Sequence, residues 1–287
     1  MSPLSRNGVT TICFLVCGMT CVFIMFLMLV FIFDQSYSFM KSIGIERVFT
    51  DKTWNPDSGF YNFVPMIMGT VLVSVGAIVI AAPIGLGIAI FCNFYGDRWA
   101  ARFFEQLLAL LAGVPSVVYG LWGLMAVTPI IYKVKPPGAS LLAGVLILAL
   151  MIIPTVGLIA KESIGRVPAS IISGAAALGL SREKIIFSVV LPSARAGLYA
   201  AVTLALGRAL GETMAVLMVT GNVVKIPSTI FDPIRTLAAN IALEMAYAAD
   251  VHRSALFASG LALMLWVIAL VLMSSFFNPK EVMREIS

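Results

Sequence analysis

Long uncharged stretches alternate with short polar segments along the chain, and this pattern predicts its main elements. Five stretches contain no Asp, Glu, Lys or Arg: residues 7–33, 58–96, 106–132, 136–160 and 254–279. A sixth, residues 196–224, is equally apolar but contains Arg208 and Glu212. Each exceeds the roughly 20 apolar residues that a helix needs to cross a hydrocarbon core about 30 Å thick. Because only helices and closed barrels satisfy their backbone hydrogen bonds in lipid, the pattern predicts six membrane-spanning helices.

Composition supports the same fold class. The 287 residues are 60% hydrophobic and 11% charged, with a mean hydropathy of +1.02, whereas soluble domains carry about 45–50% apolar and about 25% charged residues. The first apolar stretch is longer than the roughly 7–15 residues of a signal-peptide core, so it is expected to be a retained anchor. The sequence therefore predicts an all-α membrane protein.

The polar segments define the predicted organisation. We expect an N-terminal anchor span and extracytoplasmic loop over residues 1–65, one membrane domain over residues 66–277, and a cytoplasmic C-terminal tail over residues 278–287. With the N-terminus inside, cytoplasmic segments hold ten Lys and Arg residues and the opposite side holds eight. This excess favours cytoplasmic N- and C-termini under the positive-inside rule.

Several kinds of chemistry are excluded by the residues present. The single histidine, His252, rules out a multi-histidine metal site. No glycine is followed by lysine, so there is no phosphate-cradling loop of the P-loop type. The sequence shows no constellation that resembles a catalytic centre. We therefore expect no enzymatic activity, metal or cofactor of its own, and no nucleic-acid partner.

The polar segment at residues 161–195 predicts two short helices joined by a tight turn. Pro168 suits a first helical position, a helix is expected over residues 169–178, and Gly179 suits the left-handed residue that ends it. Ser181 is expected to cap the second helix, and Pro192 to end it. On these residues alone, the segment is an amphipathic connector at the membrane surface.

Arg208 and Glu212 are the charged residues inside the fifth predicted span. Because they are four apart, a continuous helix places them on one face. An unpaired arginine in mid-bilayer costs about 2.5–3.5 kcal/mol, so such charges face a protein interior or a water-filled cavity. Two interpretations stay open: an ion pair that only fixes packing, or a guanidinium on an aqueous pathway that binds an oxyanion while Glu212 offsets its charge.

Two further segments carry local predictions. Gly113, Pro115 and Gly120 lie inside the third predicted span, where they are expected to permit close helix packing or to break or mildly kink the helix. Asp232 and Pro233 form a good helix start, so a surface helix is expected over residues 234–248.

Four stretches resemble the permease subunits of phosphate ABC importers, most closely the PstC type. Residues 207–216 read GRALGETMAV and are followed by Gly221 and Asn222. Residues 112–123 read AGVPSVVYGLWG, and residues 231–242 read FDPIRTLAANIA. Gly179 followed after nine residues by Val-x-Leu-Pro resembles the EAA loop of ABC permeases, although Ser173 stands at its usually acidic position.

The resemblance implies a type I ABC importer permease fold with a cytoplasmic coupling helix, in the bacterial cytoplasmic membrane. It implies that the chain moves inorganic phosphate and assembles with a PstA-type permease subunit, a cytoplasmic ATPase dimer and an extracytoplasmic phosphate-binding protein, in contact with membrane lipid. The substrate pathway is then expected to include Arg208, Glu212 and Thr213. ATPase coupling is expected at Ser173, Ala176, Gly179, Leu191 and Pro192.

Other functions remain open at this stage. A permease of the same kind can carry another oxyanion, such as molybdate or tungstate. A proton-coupled secondary anion transporter would use Glu212 for the proton and Arg208 for the anion, with no ATPase. If the chain is a purely structural membrane subunit, Arg208→Gln leaves transport by the assembled complex unchanged.

Overall fold

The computed structural model describes residues 4–276, with side chains for residues 10–273, and is mostly helical, with one small two-stranded sheet. The predicted tail at residues 278–287 lies outside the described residues. In chain order the elements are α1 (Leu4–Ser42), α2 (Arg47–Thr50), β1 (Trp54–Asn55), β2 (Phe60–Tyr61), α3 (Val64–Ile90), α4 (Arg98–Gly113), α5 (Ser116–Trp122), α6 (Thr128–Val134), α7 (Leu141–Gly165), α8 (Ala169–Ala177), α9 (Arg182–Ile185), α10 (Leu191–Gly211), α11 (Met214–Val219), α12 (Leu237–Glu244) and α13 (Asp250–Phe276).

Within the described residues, six helical stretches are long and apolar enough to cross a bilayer, as the uncharged runs predict. Three of them include a π-helical turn, at Phe91–Tyr95, Gly123–Val127 and Ile186–Val190. The six stretches are Thr10–Ser42, Val64–Tyr95, Ser116–Val134, Leu141–Gly165, Arg182–Gly211 and Asp250–Met273.

The third predicted span, residues 106–132, starts too early in the chain. Residues 106–113 belong to α4, which ends at Gly113, and the span itself begins only at Ser116. Val114 and Pro115 between them have extended backbone, with ψ of 128° and 142°. A proline disfavours helical conformation in the residue before it, and of the predicted break and mild kink the structure shows a complete break at Pro115.

The fifth span is displaced toward the N-terminus relative to the prediction of residues 196–224. It runs without interruption from Arg182 to Gly211, and Pro192 lies in the first turn of α10 instead of ending the preceding helix. The π turn at Ile186–Val190 immediately precedes this proline. A wide turn accommodates the missing N–H and the ring of proline, so the helix continues through the position.

One compact unit of the chain comprises, among the described residues, 63–243 and 263–276. Its centre is formed by α3, α7 and α10, which bury the apolar side chains Val73, Ala77, Ala81, Ile147, Leu148, Ile152 and Ala205. Small residues bring the helices close: a Cβ added at Gly85 would lie 2.8 Å from the Cβ of Val156.

The second compact unit comprises, among the described residues, 4–62 and 244–262. Its two strands pair antiparallel with Trp54 opposite Tyr61, and the rings of these two residues meet edge to face at 5.7 Å. The carboxylate of Asp51 accepts a hydrogen bond from the Tyr61 amide at 2.7 Å. This unit therefore combines part of the predicted N-terminal segment with the first half of α13.

The helix predicted to start at Asp232 begins later and is shorter. The Asp232 carboxylate accepts hydrogen bonds from the amide of Ser228 and from the amide and hydroxyl of Thr229, at 2.8, 3.1 and 2.8 Å. It is thus engaged in the preceding turn. Helix α12 starts at Leu237, with Thr236 Oγ1 accepting from the Ala239 amide at 3.2 Å.

Candidate functional site

Arg208 lies in the last turn of α10, and its side chain is exposed. Its Nη1 donates a hydrogen bond to Thr155 Oγ1 on α7 at 3.1 Å. Thr155 follows Pro154, a proline within α7. Sequence reasoning did not single out Thr155, although a hydroxyl beside a proline in an otherwise uncharged span was the available signal.

Glu212 does not share a helix face with Arg208, contrary to the prediction. Helix α10 ends at Gly211, and Glu212 has extended backbone with φ of −69° and ψ of 125°. Its Oε1 accepts a hydrogen bond from the Ala215 amide at 3.1 Å, in the first turn of α11. A carboxylate there satisfies an N–H that lacks an intrahelical partner and complements the helix dipole, which explains why Glu212 turns away.

The consequence is that the Arg208 charge is not neutralised by Glu212: among the described residues these two form no ion pair, and the Arg208 side chain bonds only to a neutral hydroxyl. Thr213, the third predicted pathway residue, donates from Oγ1 to the Gly211 carbonyl at 3.2 Å. The break between α10 and α11 thus holds a fixed carboxylate and an exposed guanidinium. A guanidinium of this kind can bind an oxyanion through two parallel N–H donors.

The helix pair α5 and α11 approaches closely next to this break. A Cβ added at Gly120 would lie 2.9 Å from both the Cα of Ala215 and the Sδ of Met218. Ala215 is the residue whose amide bonds to Glu212. Gly113, by contrast, has no atom within 4 Å of its added Cβ, so close packing is found at Gly120 and is absent at Gly113.

The predicted helical hairpin at residues 168–185 has the expected local structure. Helix α8 begins after Pro168, and Gly179 adopts a left-handed conformation with φ of +80°. Ser181 Oγ accepts from the Lys184 amide at 3.4 Å and caps α9. The predicted turn at Gly179 and cap at Ser181 are therefore confirmed. Pro168 is the N-cap residue rather than the first helical residue, and Pro192 does not end the second helix.

The tip of this hairpin presents uncharged surface. Ser173, Ala176 and Gly179 are exposed, and Leu178 is 83% exposed at the turn. The Ser173 hydroxyl donates to the Ala169 carbonyl at 2.9 Å, so this position offers no charge to a partner. The other two predicted coupling residues, Leu191 and Pro192, lie in the first turn of α10 rather than at the tip.

Tyr95, at the end of the second span, contacts the second helix of the hairpin. The Arg182 guanidinium lies 4.5 Å from the centre of the Tyr95 ring, and Tyr95 Oη lies 3.5 Å from Glu183 Oε1. Sequence reasoning missed Tyr95; the available signal was an aromatic residue at the boundary of an uncharged stretch. Nearby, Asn93 Nδ2 donates to the Lys161 carbonyl at 3.2 Å. The hairpin thus contacts the end of the second span, which Asn93 in turn links to the end of α7.

No group of three or more His, Cys, Asp or Glu side chains that could hold a metal ion occurs in the part of the chain that the structure describes. Cys13, Cys17 and Cys21 are exposed on α1 as free thiols.

Comparison with known proteins places these features in a family. The sequence profile described as binding-protein-dependent transport system inner membrane component matches residues 81–280. The phosphate transport system permease protein PstC of Mesorhizobium japonicum is 36% identical over 254 residues, which cover 81% of this chain and 77% of that protein. A probable ABC transporter permease protein, YqgH of Bacillus subtilis, is 35% identical over 238 residues, covering 81% and 77%.

Solved structures of permeases share the fold. A chain of a bacterial alginate ABC transporter, solved with a periplasmic protein bound to an alginate pentasaccharide, superposes with a TM-score of 0.66 at 13% identity. The match covers 95% of this chain and 96% of that one. At this identity the likeness concerns the fold alone.

Proposed function

Because the chain belongs to the family of binding-protein-dependent transport system inner membrane components, and within it to the PstC type, we propose that it is a permease subunit that moves inorganic phosphate in an ATP-driven importer. The observation that supports phosphate as the substrate is the 36% identity to a phosphate permease over 77% of that protein's length. The chain is accordingly a multi-pass protein of the inner membrane. Under this proposal both termini are cytoplasmic, residues 1–65 form an accessory anchor and loop, and residues 66–277 form the translocating domain.

The anion pathway under this proposal passes Arg208 at the break between α10 and α11. Its guanidinium is exposed and bonds to the neutral hydroxyl of Thr155 at 3.1 Å, which leaves its charge available to an incoming oxyanion. Glu212 is held by the Ala215 amide and keeps a negative charge near the path. A weak, releasable anion site results, because the arginine attracts the substrate while the carboxylate limits how tightly it is held.

Importers of this family work with an ATPase and a substrate-binding protein. We propose that this chain pairs with a PstA-type subunit, two copies of a cytoplasmic ATPase and an extracytoplasmic phosphate-binding protein. The hairpin at residues 168–185 is the surface for the ATPase. Because Ser173 carries no charge there, contact with the ATPase rests on the exposed apolar side chains around Gly179, such as Leu178.

The decisive experiment measures labelled-phosphate uptake in phosphate-starved cells with the gene deleted, restored, or restored as Arg208→Gln. Deletion is expected to abolish the uptake that depends on this system, and Arg208→Gln to reduce it at least tenfold in assembled complexes. Thr155→Val is the matched control, because it removes the hydrogen bond that orients Arg208 but keeps the arginine's charge. It is expected to reduce uptake less than Arg208→Gln does.

Each other outcome rejects a defined part of the proposal. Unchanged phosphate uptake after deletion rejects phosphate as substrate, and uptake of labelled molybdate or tungstate then tests the other oxyanions. Uptake that collapses with the proton gradient while ATP remains available rejects the ATP-driven mechanism. Normal uptake by an assembled Arg208→Gln complex rejects the role of Arg208.

A further inference from the structure

Helix α4 packs on the rest of its compact unit with only one of its faces. Leu108 is 2% exposed, and its Cδ1 would lie 2.9 Å from a Cβ added at Gly157 on α7. Glu105 forms an ion pair of 2.6 Å with Lys161, at the end of the same helix. These contacts fix the rotation of α4 and therefore determine which side chains it leaves exposed.

The exposed side of α4 carries an apolar stripe. Trp99, Phe103, Leu107 and Leu110 are 75%, 49%, 38% and 72% exposed. Their spacing of four, four and three residues aligns them along one face of a helix with 3.6 residues per turn. The rings of Trp99 and Phe103 stack at 5.8 Å with an angle of 11° between their planes. The stripe is thus continuous along the whole helix.

Two arginines border this stripe, and both are exposed. The side chains of Arg98 and Arg102 have no hydrogen bond, ion pair or ring contact with any residue that the structure describes. They are four residues apart, so like charges face each other on the helix surface. They also lie in the first two turns of α4, where the helix dipole disfavours cations. An external anion would relieve both unfavourable interactions.

We propose that α4 is a lipid-binding helix whose Arg98 and Arg102 bind the phosphodiester groups of anionic phospholipids. The polarity of its exposed side is graded along the axis: the cations and Trp99 lie in the first half, Leu107 and Leu110 in the second. Tryptophan favours the boundary between headgroups and acyl chains, and Lys and Arg are attracted to anionic lipid surfaces. The second half then faces the acyl region, where α4 leads through Pro115 into the third span.

The graded surface distinguishes lipid from a protein partner. An acidic soluble protein would satisfy the two arginines but leave Leu110 in water, and an apolar protein face would leave the arginines without a counter-charge. Anionic phospholipid supplies both an anion and an apolar phase in the required order. This inference concerns the bilayer and stands independently of which anion the protein transports.

The test uses the full transporter complex in nanodiscs made of phosphatidylcholine with or without phosphatidylglycerol. Phosphatidylglycerol retained by the purified complex is quantified for the wild type, for Arg98→Gln/Arg102→Gln and for Arg98→Lys/Arg102→Lys. The glutamine pair is expected to lower the preference for phosphatidylglycerol about 25-fold, because each of the two cations near an anionic surface contributes about a factor of five. The lysine pair keeps the charges and is expected to retain the preference.

Arg195 provides a matched control, because it is an exposed arginine of α10 that likewise has no partner among the described residues. Arg195→Gln is expected to leave the preference unchanged. A wild type with equal retention of both lipids overturns the proposal without recourse to any variant. The proposal is also overturned if the Arg98→Gln/Arg102→Gln complex loses the ATPase subunit while its lipid preference is unchanged, because the arginines would then bind a protein.

Discussion

The indole of Trp54 donates a hydrogen bond from Nε1 to Oε2 of Glu244 at 2.9 Å, between residues that are 190 positions apart in the chain. The same oxygen lies 2.9 Å from Nε2 of His252. Trp54 is 8% exposed and Glu244 is 6% exposed. A single buried carboxylate therefore connects strand β1 to the beginning of α13, inside one compact unit.

Replacing this carboxylate is expected to destabilise the unit. Glu244→Ala leaves the buried indole N–H and the imidazole without their acceptor, and each such loss costs about 1–3 kcal/mol. The thermal unfolding midpoint of the purified protein should fall by several degrees. Glu46→Ala is the control, because Glu46 is an exposed carboxylate of the same unit. Equal unfolding midpoints for the two variants would show that the Glu244 contacts make no net contribution to the stability of the protein.

The contact between Arg182 and Tyr95 is expected to transmit movement of the hairpin to the end of the second span. Arg182→Gln removes the cation from the ring that it overlies at 4.5 Å. Because such a contact contributes about 0.5–1 kcal/mol at an exposed site, phosphate moved per ATP hydrolysed should fall about two- to fivefold. The measurement is the ratio of the two rates in proteoliposomes.

Two variants separate this role from general damage to the hairpin. Lys184→Gln removes an exposed cation from the same short helix and should keep the wild-type ratio. Tyr95→Phe keeps the ring and should stay close to wild type, whereas Tyr95→Leu should resemble Arg182→Gln. A normal ratio in Tyr95→Leu would argue against transmission through this contact.

Gly120 is expected to tolerate no side chain. The methyl group of Gly120→Ala would lie 2.9 Å from the backbone of Ala215, so α5 and α11 must separate. Overpacking of this kind costs about 1–3 kcal/mol, and it also displaces the amide that holds Glu212. Both the unfolding midpoint and phosphate uptake should decrease. Gly113→Ala, with open space around its Cβ, should leave both unchanged.

Asp232 predicts a specific pH dependence. The hydrogen bond from the Thr229 side chain, aided by the amides of Ser228 and Thr229 and by the charge of Lys225, holds the pKa of Asp232 below its ordinary value. A lowered folded-state pKa contributes stability that is present above the unfolded pKa and is lost as pH falls through the folded pKa.

The variant Asp232→Asn should therefore unfold at a lower temperature than the wild type at neutral pH. The two midpoints should converge as the pH is lowered through the acidic range. Thr229→Val, which removes the largest cause of the shift, should move this convergence to higher pH. A difference between wild type and Asp232→Asn that is constant with pH would contradict the assignment.

The number of spans followed from sequence because charges are costly in lipid and therefore mark the helix ends. The absence of charge does not reveal a break inside an apolar run, so the extended residues Val114 and Pro115 were assigned to a span. The positions of the charges also do not show that a helix continues beyond its apolar stretch. The fifth span begins among charged residues at Arg182, which lie at its end and need not enter the hydrocarbon core.

The relation between Arg208 and Glu212 could not be obtained from spacing alone. Their separation indicates one face only if the helix continues, and Gly211 ends it. Once it ends, Glu212 bonds to the nearest unsatisfied amide, that of Ala215, and Arg208 bonds across to Thr155. The local caps at Gly179 and Ser181 were predictable because they depend on residues a few positions away. The contact with Thr155 depends on how two distant helices pack.

The π turn at Ile186–Val190 gives the fifth helix a tolerance to changes in its length. Such a turn contains one residue more than the α-helical path requires. Deleting one residue there would restore regular hydrogen bonding and leave Arg208 on the same side of its helix. A deletion in the middle of α7 would instead rotate everything beyond it by about 100° and turn its buried face outward. The chain therefore carries, directly before Pro192, a position where a residue can be lost without reorienting Arg208.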